Sequence, residues 1–126
     1  MITNSAKNDI ATNYVAVNYT KIKIGDGADS TSASQTKLDH AVGSVKTVTP
    51  SVVGSTLIYE VDFLGSEIPT SGVTELGIFH KDHIDTKMLS RVTFTSTGVV
   101  AASDTVSFTI RIEVNWIDYN REYRFY

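Results

Sequence analysis

The chain has 126 residues, 41% of them hydrophobic and 20% charged, with 8 glycines and 2 prolines. These are the proportions of a globular protein with room for one sizeable core, and they exclude a low-complexity or collagen-like chain. A formal net charge of −3 leaves no broad basic surface for neutralising phosphates, so nucleic acid is not expected as a partner, and the lack of cysteine excludes disulfides, thiol nucleophiles and thiolate metal sites.

The opening residues, Met1 to Asp9, hold no apolar core of an export signal, and no stretch approaches the ~20 apolar residues that span a bilayer. Neither signal nor membrane anchor is expected. A helical turn or two is predicted around Ser5 to Thr12, followed by a strand over Tyr14 to Ile24. Gly25-Asp26-Gly27-Ala28-Asp29-Ser30 reads as a tight turn. A second short helix is predicted over Ser34 to Val42, with Ser34 as cap and Leu38, Ala41 and Val42 turned inward. Ser44 to Val53 is rich in valine and threonine but interrupted by Pro50, which cannot donate to a ladder; an edge strand is expected. Leu57 to Phe63 alternates, with Leu57, Tyr59, Val61 and Phe63 on one face. After the turn residues Gly65 to Gly72 come two strands, Val73 to Phe79 and Met88 to Thr95. The strongest signal is last: Val106, Phe108, Ile110, Ile112, Val114 and Trp116 alternate strictly with polar residues from Thr105 onward. A helix would scatter these side chains round its circumference, whereas a period of two puts them on one side of a pleat. Short strands with regular turn punctuation predict an all-β fold, an antiparallel β-sandwich with one or two short helices, as a single domain over residues 1–116.

Residues 117–126 form a separate segment dense in aromatics and arginine. Together with Trp116, the residues Tyr119, Arg121, Tyr123, Arg124, Phe125 and Tyr126 have the composition of an interface core, which suggests an arm that docks on a neighbouring subunit. A last strand packed on its own domain accounts for the same residues equally well.

Candidate sites elsewhere have structural explanations. His80, Asp82, His83 and Asp85 offer two imidazoles and two carboxylates, but they fall where a hairpin should turn and lack a third His or Cys at ligand spacing. No metal is assigned there. Asp26 and Asp29 among glycines resemble half of a calcium loop without its later glutamate. No nucleophile elbow and no phosphate-binding Gly-Lys-Ser/Thr loop is present, so no catalytic residue and no cofactor is assigned and an enzyme is not expected. Glu75 differs, because it precedes Leu76-Gly77-Ile78-Phe79 and stands in a strand, Val73 to Phe79, that otherwise reads as core. A half-buried carboxylate needs a partner, and Arg91 on the next strand is best placed to form a structural pair with it.

Three segments carry a resemblance. They are Ile2-Thr3-Asn4-Ser5-Ala6-Lys7 with Ile10-Ala11; Ile22-Lys23-Ile24-Gly25-Asp26-Gly27 with Ser34-Gln35-Thr36-Lys37-Leu38; and Thr74-Glu75-Leu76-Gly77-Ile78-Phe79 with Leu89-Ser90-Arg91-Val92-Thr93-Phe94. In order and spacing they resemble a phage tail-fibre or collar-type module over about residues 2 to 114, the third segment most specifically. The resemblance implies a non-enzymatic structural component of a tailed virus particle, such as a fibre adaptor, collar, baseplate or capsid-decorating protein. It would be made in the host cytoplasm and built into the virion as a homotrimer or symmetric ring that contacts other virion proteins. Fibre proteins of this kind continue into a shaft and receptor-binding tip, whereas this chain stops, which favours the adaptor, collar, baseplate or capsid-decorating role over host recognition. The rival expectation is a receptor- or carbohydrate-binding β-sandwich in which exposed Tyr14, Tyr19 or Tyr59 stacks on a ligand.

Overall fold

The computed structural model describes residues 2–115. The chain begins with a helical segment: α1 (Asn4–Asp9), a π-helical stretch over Ile10–Val15, and α2 (Ala16–Asn18). Thr3 caps it, its hydroxyl accepting from Ala6 N at 3.2 Å. The segment runs six residues beyond the predicted Thr12, so Tyr14 to Asn18 are helical and not the start of a strand. Ala11 and Val15, four apart, fall on one helical face and are both buried, and that packing overrides the alternation Val15, Val17, Tyr19 that mimics a strand in the sequence.

Seven strands follow, β1 (Tyr19–Gly25), β2 (Ala41–Thr47), β3 (Ser51–Val53), β4 (Thr56–Leu64), β5 (Glu75–His80), β6 (Met88–Thr93) and β7 (Thr105–Glu113). They form two antiparallel sheets, ordered β2-β1-β5-β6 and β3-β4-β7, and the fold is an all-β sandwich. The predicted edge strand over Ser44–Val53 is two edge strands in different sheets, β2 and β3. The chain changes sheets at Pro50, which is buried and has no N–H to leave unpaired at the crossing.

The second predicted helix does not form. Residues 26–40 make a long loop of turns and bends, and Leu38 is buried from it all the same. The N–H groups of Asp39 and His40, which a helix would turn toward its own carbonyls, are taken by the Glu75 carboxylate. Side-chain acceptors of this kind compete with helical bonding.

Between the sheets the core gathers Ile22 and Ile24 of β1, Leu57, Tyr59, Val61 and Phe63 of β4, and Leu76 and Ile78 of β5. On β4 the burial alternates as the sequence pattern predicts. On β5 every residue from Glu75 to His80 is buried, because the loop over residues 26–40 covers the sheet's other face. Leu38 packs there against Gly77, where an added Cβ would lie 2.8 Å from the leucine Cδ2. Among the described residues no helix is long and apolar enough to cross a membrane.

Candidate functional site

Glu75 stands at the start of β5 with 0% of its surface exposed, and it gathers a site around itself. Oε2 accepts from Gly27 N at 2.8 Å and His40 N at 2.8 Å. Oε1 accepts from Asp39 N at 3.0 Å and from Arg91 Nε at 2.7 Å. Burial by itself pushes this carboxyl up, but the bonds from His40, Arg91, Asp39 and Gly27 outweigh it and hold the group below the usual carboxylate range. Arg91, adjacent on β6, is buried in turn, and its Nη1 donates to the Asp29 carbonyl at 2.9 Å. Arg91 Nη2 and Gln35 Oε1 are buried without a partner in the protein. The two residues singled out in the sequence are therefore brought together, with three backbone N–H groups besides.

The pair holds the loop over residues 26–40 at both ends, at Gly27 and Asp29 on one side and at Asp39 and His40 on the other. Asp26 N donates to the His40 carbonyl at 3.0 Å, and the His40 ring bonds the Asp26 carboxylate through Nδ1, which raises the histidine pKa. Thr74 Oγ1 donates to the Gly27 carbonyl at 2.7 Å. Asp39 Oδ2 accepts from Ala28 N at 3.0 Å and Asp29 N at 3.3 Å. The neighbouring Asp29 and Asp39 carboxyls interact, which raises the pKa of the first and lowers that of the second. Gly25 and Gly27 are glycine for want of space: a Cβ on either would lie 2.5 Å from Glu75 Oε2. The sequence reading took these glycines and Asp26 for a tight turn, and it did not connect them to a glutamate some fifty positions on. The readable signal was a charged residue within an otherwise apolar strand.

Chemically this carboxylate is spent. It is sealed from solvent and carries two donors on each oxygen, so it has no free lone pair aimed at a substrate. What the arrangement can do is hold a loop against a sheet.

The His80–Asp85 cluster turns the β5–β6 hairpin, with Asp85 at φ 66°. His80 Nδ1 accepts from Asp82 N at 3.1 Å, its ring meets Tyr19 edge-on at 5.3 Å between centroids, and burial pushes its pKa down. His83 lies 4.8 Å away ring to ring, and Asp85 pairs with Lys23 at 3.0 Å. Among the described residues no group of three or more His, Cys, Asp or Glu is gathered as a metal would need. Tyr59, expected as an exposed stacking residue, is instead fully buried and donates its hydroxyl to the Tyr19 carbonyl at 2.7 Å. As an inward-facing residue of β4 it falls on the dry side of the pleat. Tyr14 is exposed, and its ring lies 6.5 Å from that of Tyr19 at a tilt of 58°.

The second feature is β7. Its apolar residues Val106, Phe108, Ile110 and Ile112 face the core but stay half-buried, unlike those of the neighbouring β4. Phe108 packs on Phe63 at 6.1 Å and on Phe94 at 5.6 Å. Among the described residues no strand lies beyond β7, which forms one edge of its sheet. Trp116, Tyr119, Arg121, Tyr123, Arg124, Phe125 and Tyr126, the expected interface residues, lie outside the described residues. Compared with protein-family models and with curated proteins, the sequence gives no match.

Proposed function

We propose that the chain is a structural component of a tailed virus particle, a fibre adaptor, collar, baseplate or capsid-decorating protein that works by assembling with copies of itself and docking on other virion proteins. The observation that carries the reading is β7: a nine-residue edge strand whose apolar row remains half-buried, next to a segment, residues 116–126, rich in aromatics and arginine. Apolar surface left open along a sheet edge invites a protein partner. The way Glu75 and Arg91 are used adds support, since the one buried charge pair of the described core serves to pin a loop. The Gly-x-Gly, Glu75 and Arg91 positions that carry the resemblance to the phage module are the same ones that make this staple. The rival reading, a carbohydrate- or receptor-binding module, loses Tyr59 to the core and is left with Tyr14 and Tyr19, whose rings are tilted and present no flat platform.

The test is size-exclusion chromatography with light scattering on the full chain and on a chain lacking residues 117–126. The expected result is an assembly for the full chain, and for the shortened chain an unchanged circular dichroism spectrum with a smaller particle. A full chain that stays monomeric over the whole accessible concentration range overturns the proposal.

A further inference from the structure

Among the described residues the sandwich has four sheet edges, β2, β6, β3 and β7, and three of them are blunted. β3 is three residues long and follows Pro50. β2 is broken by Gly43 at φ 71°, where its pairing with β1 shifts register. β6 is covered by the loop over residues 26–40: Arg91 holds the Asp29 carbonyl, and Thr31, Ser32 and Ala33 border the strand across a cavity of about 290 Å³. These are the usual protections against edge-to-edge pairing. β7 has none of them. It runs nine residues without proline, glycine or bulge, in unbroken register with β4.

Two bonds beyond the ends of β7 reveal which of its backbone groups are unpaired. Gly65 N donates to the Asp104 carbonyl at 2.7 Å, and Val114 N donates to the Ser55 carbonyl at 2.9 Å, so positions 104 and 114 point their groups toward the β4 side. In an antiparallel ladder alternate residues point both groups the same way. The even positions of β7 therefore face β4. The N–H and C=O groups of Thr105, Ser107, Thr109, Arg111 and Glu113 point outward, where no described strand meets them.

We infer that the β7 edge pairs with β7 of a second copy, antiparallel about a two-fold axis through Thr109. This rests on the self-assembly reading above and gives it a specific interface. Outward groups must meet outward groups, which forbids any register shifted by one residue. Of the registers that remain, the one centred on Thr109 alone uses the whole strand, setting Thr109 opposite Thr109 of the partner subunit. It places Ser107 opposite Arg111 and Thr105 opposite Glu113, so no like charges oppose one another. A centre on Arg111 or Glu113 would set each against its own copy. On the inner face it brings Phe108 beside Ile110 and Val106 beside Ile112, an aromatic and β-branched pairing across the non-bonded positions that lengthens the apolar row of both copies. With one unblunted edge among the described residues, strand pairing yields an isologous pair and not a cyclic ring. The building unit is then a two-fold dimer joining two three-stranded sheets, in place of the trimer or ring that the resemblance implies.

The test uses the full chain, which has no cysteine of its own. Directly opposed, hydrogen-bonded residues sit about 5.5 Å apart at Cα, within reach of a disulfide. Thr109→Cys is expected to give a disulfide-linked dimer under mild oxidation, whereas Thr105→Cys, about 27 Å from its own counterpart in this register, is expected to stay unlinked. Thr109→Pro removes an outward N–H while leaving every bond to β4 in place, and such a proline is tolerated on an edge. It is expected to keep the circular dichroism spectrum and raise the dimer dissociation constant roughly tenfold or more. A parent chain that assembles, with Thr109→Cys unlinked and Thr109→Pro unchanged in size, overturns the β7 pairing and leaves self-assembly standing. A parent chain that is monomeric at all concentrations overturns both. A full chain that is monomeric but dimerises once residues 117–126 are removed overturns the pairing as well, because it assigns the edge to the chain's own tail.

Discussion

Glu75→Gln is the substitution that most directly tests how this protein is held together. The amide keeps the shape of the carboxylate and exchanges one oxygen for an NH₂ group, a donor, in a site that offers four donors and wants none. In either orientation two donors lose their acceptor: Gly27 N and His40 N, or Asp39 N and Arg91 Nε. The Arg91 cation, with a side chain only 2% exposed, loses its ion-pair partner. Removing one partner of a buried ion pair costs about 3–5 kcal/mol, and leaving the other charge buried accounts for much of that. Against a total stability of about 5–15 kcal/mol this is a large fraction. At about 2.1 cal/mol/K of unfolding entropy per residue it corresponds to a drop of about 10–20 °C in Tm. Thermal and urea unfolding followed by circular dichroism measure it.

The pH dependence follows with a definite sign. The folded pKa of Glu75 is depressed, so the unfolded chain binds the proton first as the solution is acidified. Its stabilisation is therefore present above the ordinary glutamate value of about 4.3 and is lost as pH falls through the lower folded value. The parent protein should lose stability steeply below that range, and Glu75→Gln, with nothing to protonate there, should have a flatter acid limb. A loss under about 1 kcal/mol with an unchanged acid limb would refute the reasoning, since it would mean the loop and Arg91 are held by something else. Removing both partners in Glu75→Gln/Arg91→Gln should cost less than the sum of the single changes, which is the signature of a coupled pair.

Two further outcomes follow from the same site. Gly27→Ala should destabilise by about 1–3 kcal/mol, because its Cβ would press on Glu75 Oε2 and on the Asp39 side chain. As Gly27 does not have positive φ, an open site there would have made alanine neutral or slightly stabilising, so urea midpoints of the variant separate the two cases. The His40 ring should titrate above the usual histidine range by NMR, owing to its bond with Asp26, and Asp26→Asn should return it toward about 6.5. Because the folded pKa is the higher one, the contribution of this contact is present at pH below the unfolded value and is lost as pH rises through the folded one.

Sequence alone determined the strands whose two faces differ. In Leu57–Phe63 and in the run from Thr105, period-two alternation reports one wet and one dry face, and β4 and β7 are where it placed them. Glu75 and Arg91 were legible for a related reason, since a charge in an apolar strand with an opposite charge across a hairpin has few alternatives. Tertiary structure decided the rest. Tyr14 to Asn18 alternate like a strand but are helical, because Ala11 and Val15 bury together against the core. Residues 34–42 have helical spacing, but the N–H groups of Asp39 and His40 go to a glutamate over thirty positions away. Pro50 marked an interruption in the sequence, and only the assembled sandwich shows it as the crossing from one sheet to the other. The physical division is one of range: a local pattern records the contrast between a side chain and water, whereas the partner that satisfies a buried backbone or carboxylate group is chosen by the whole fold.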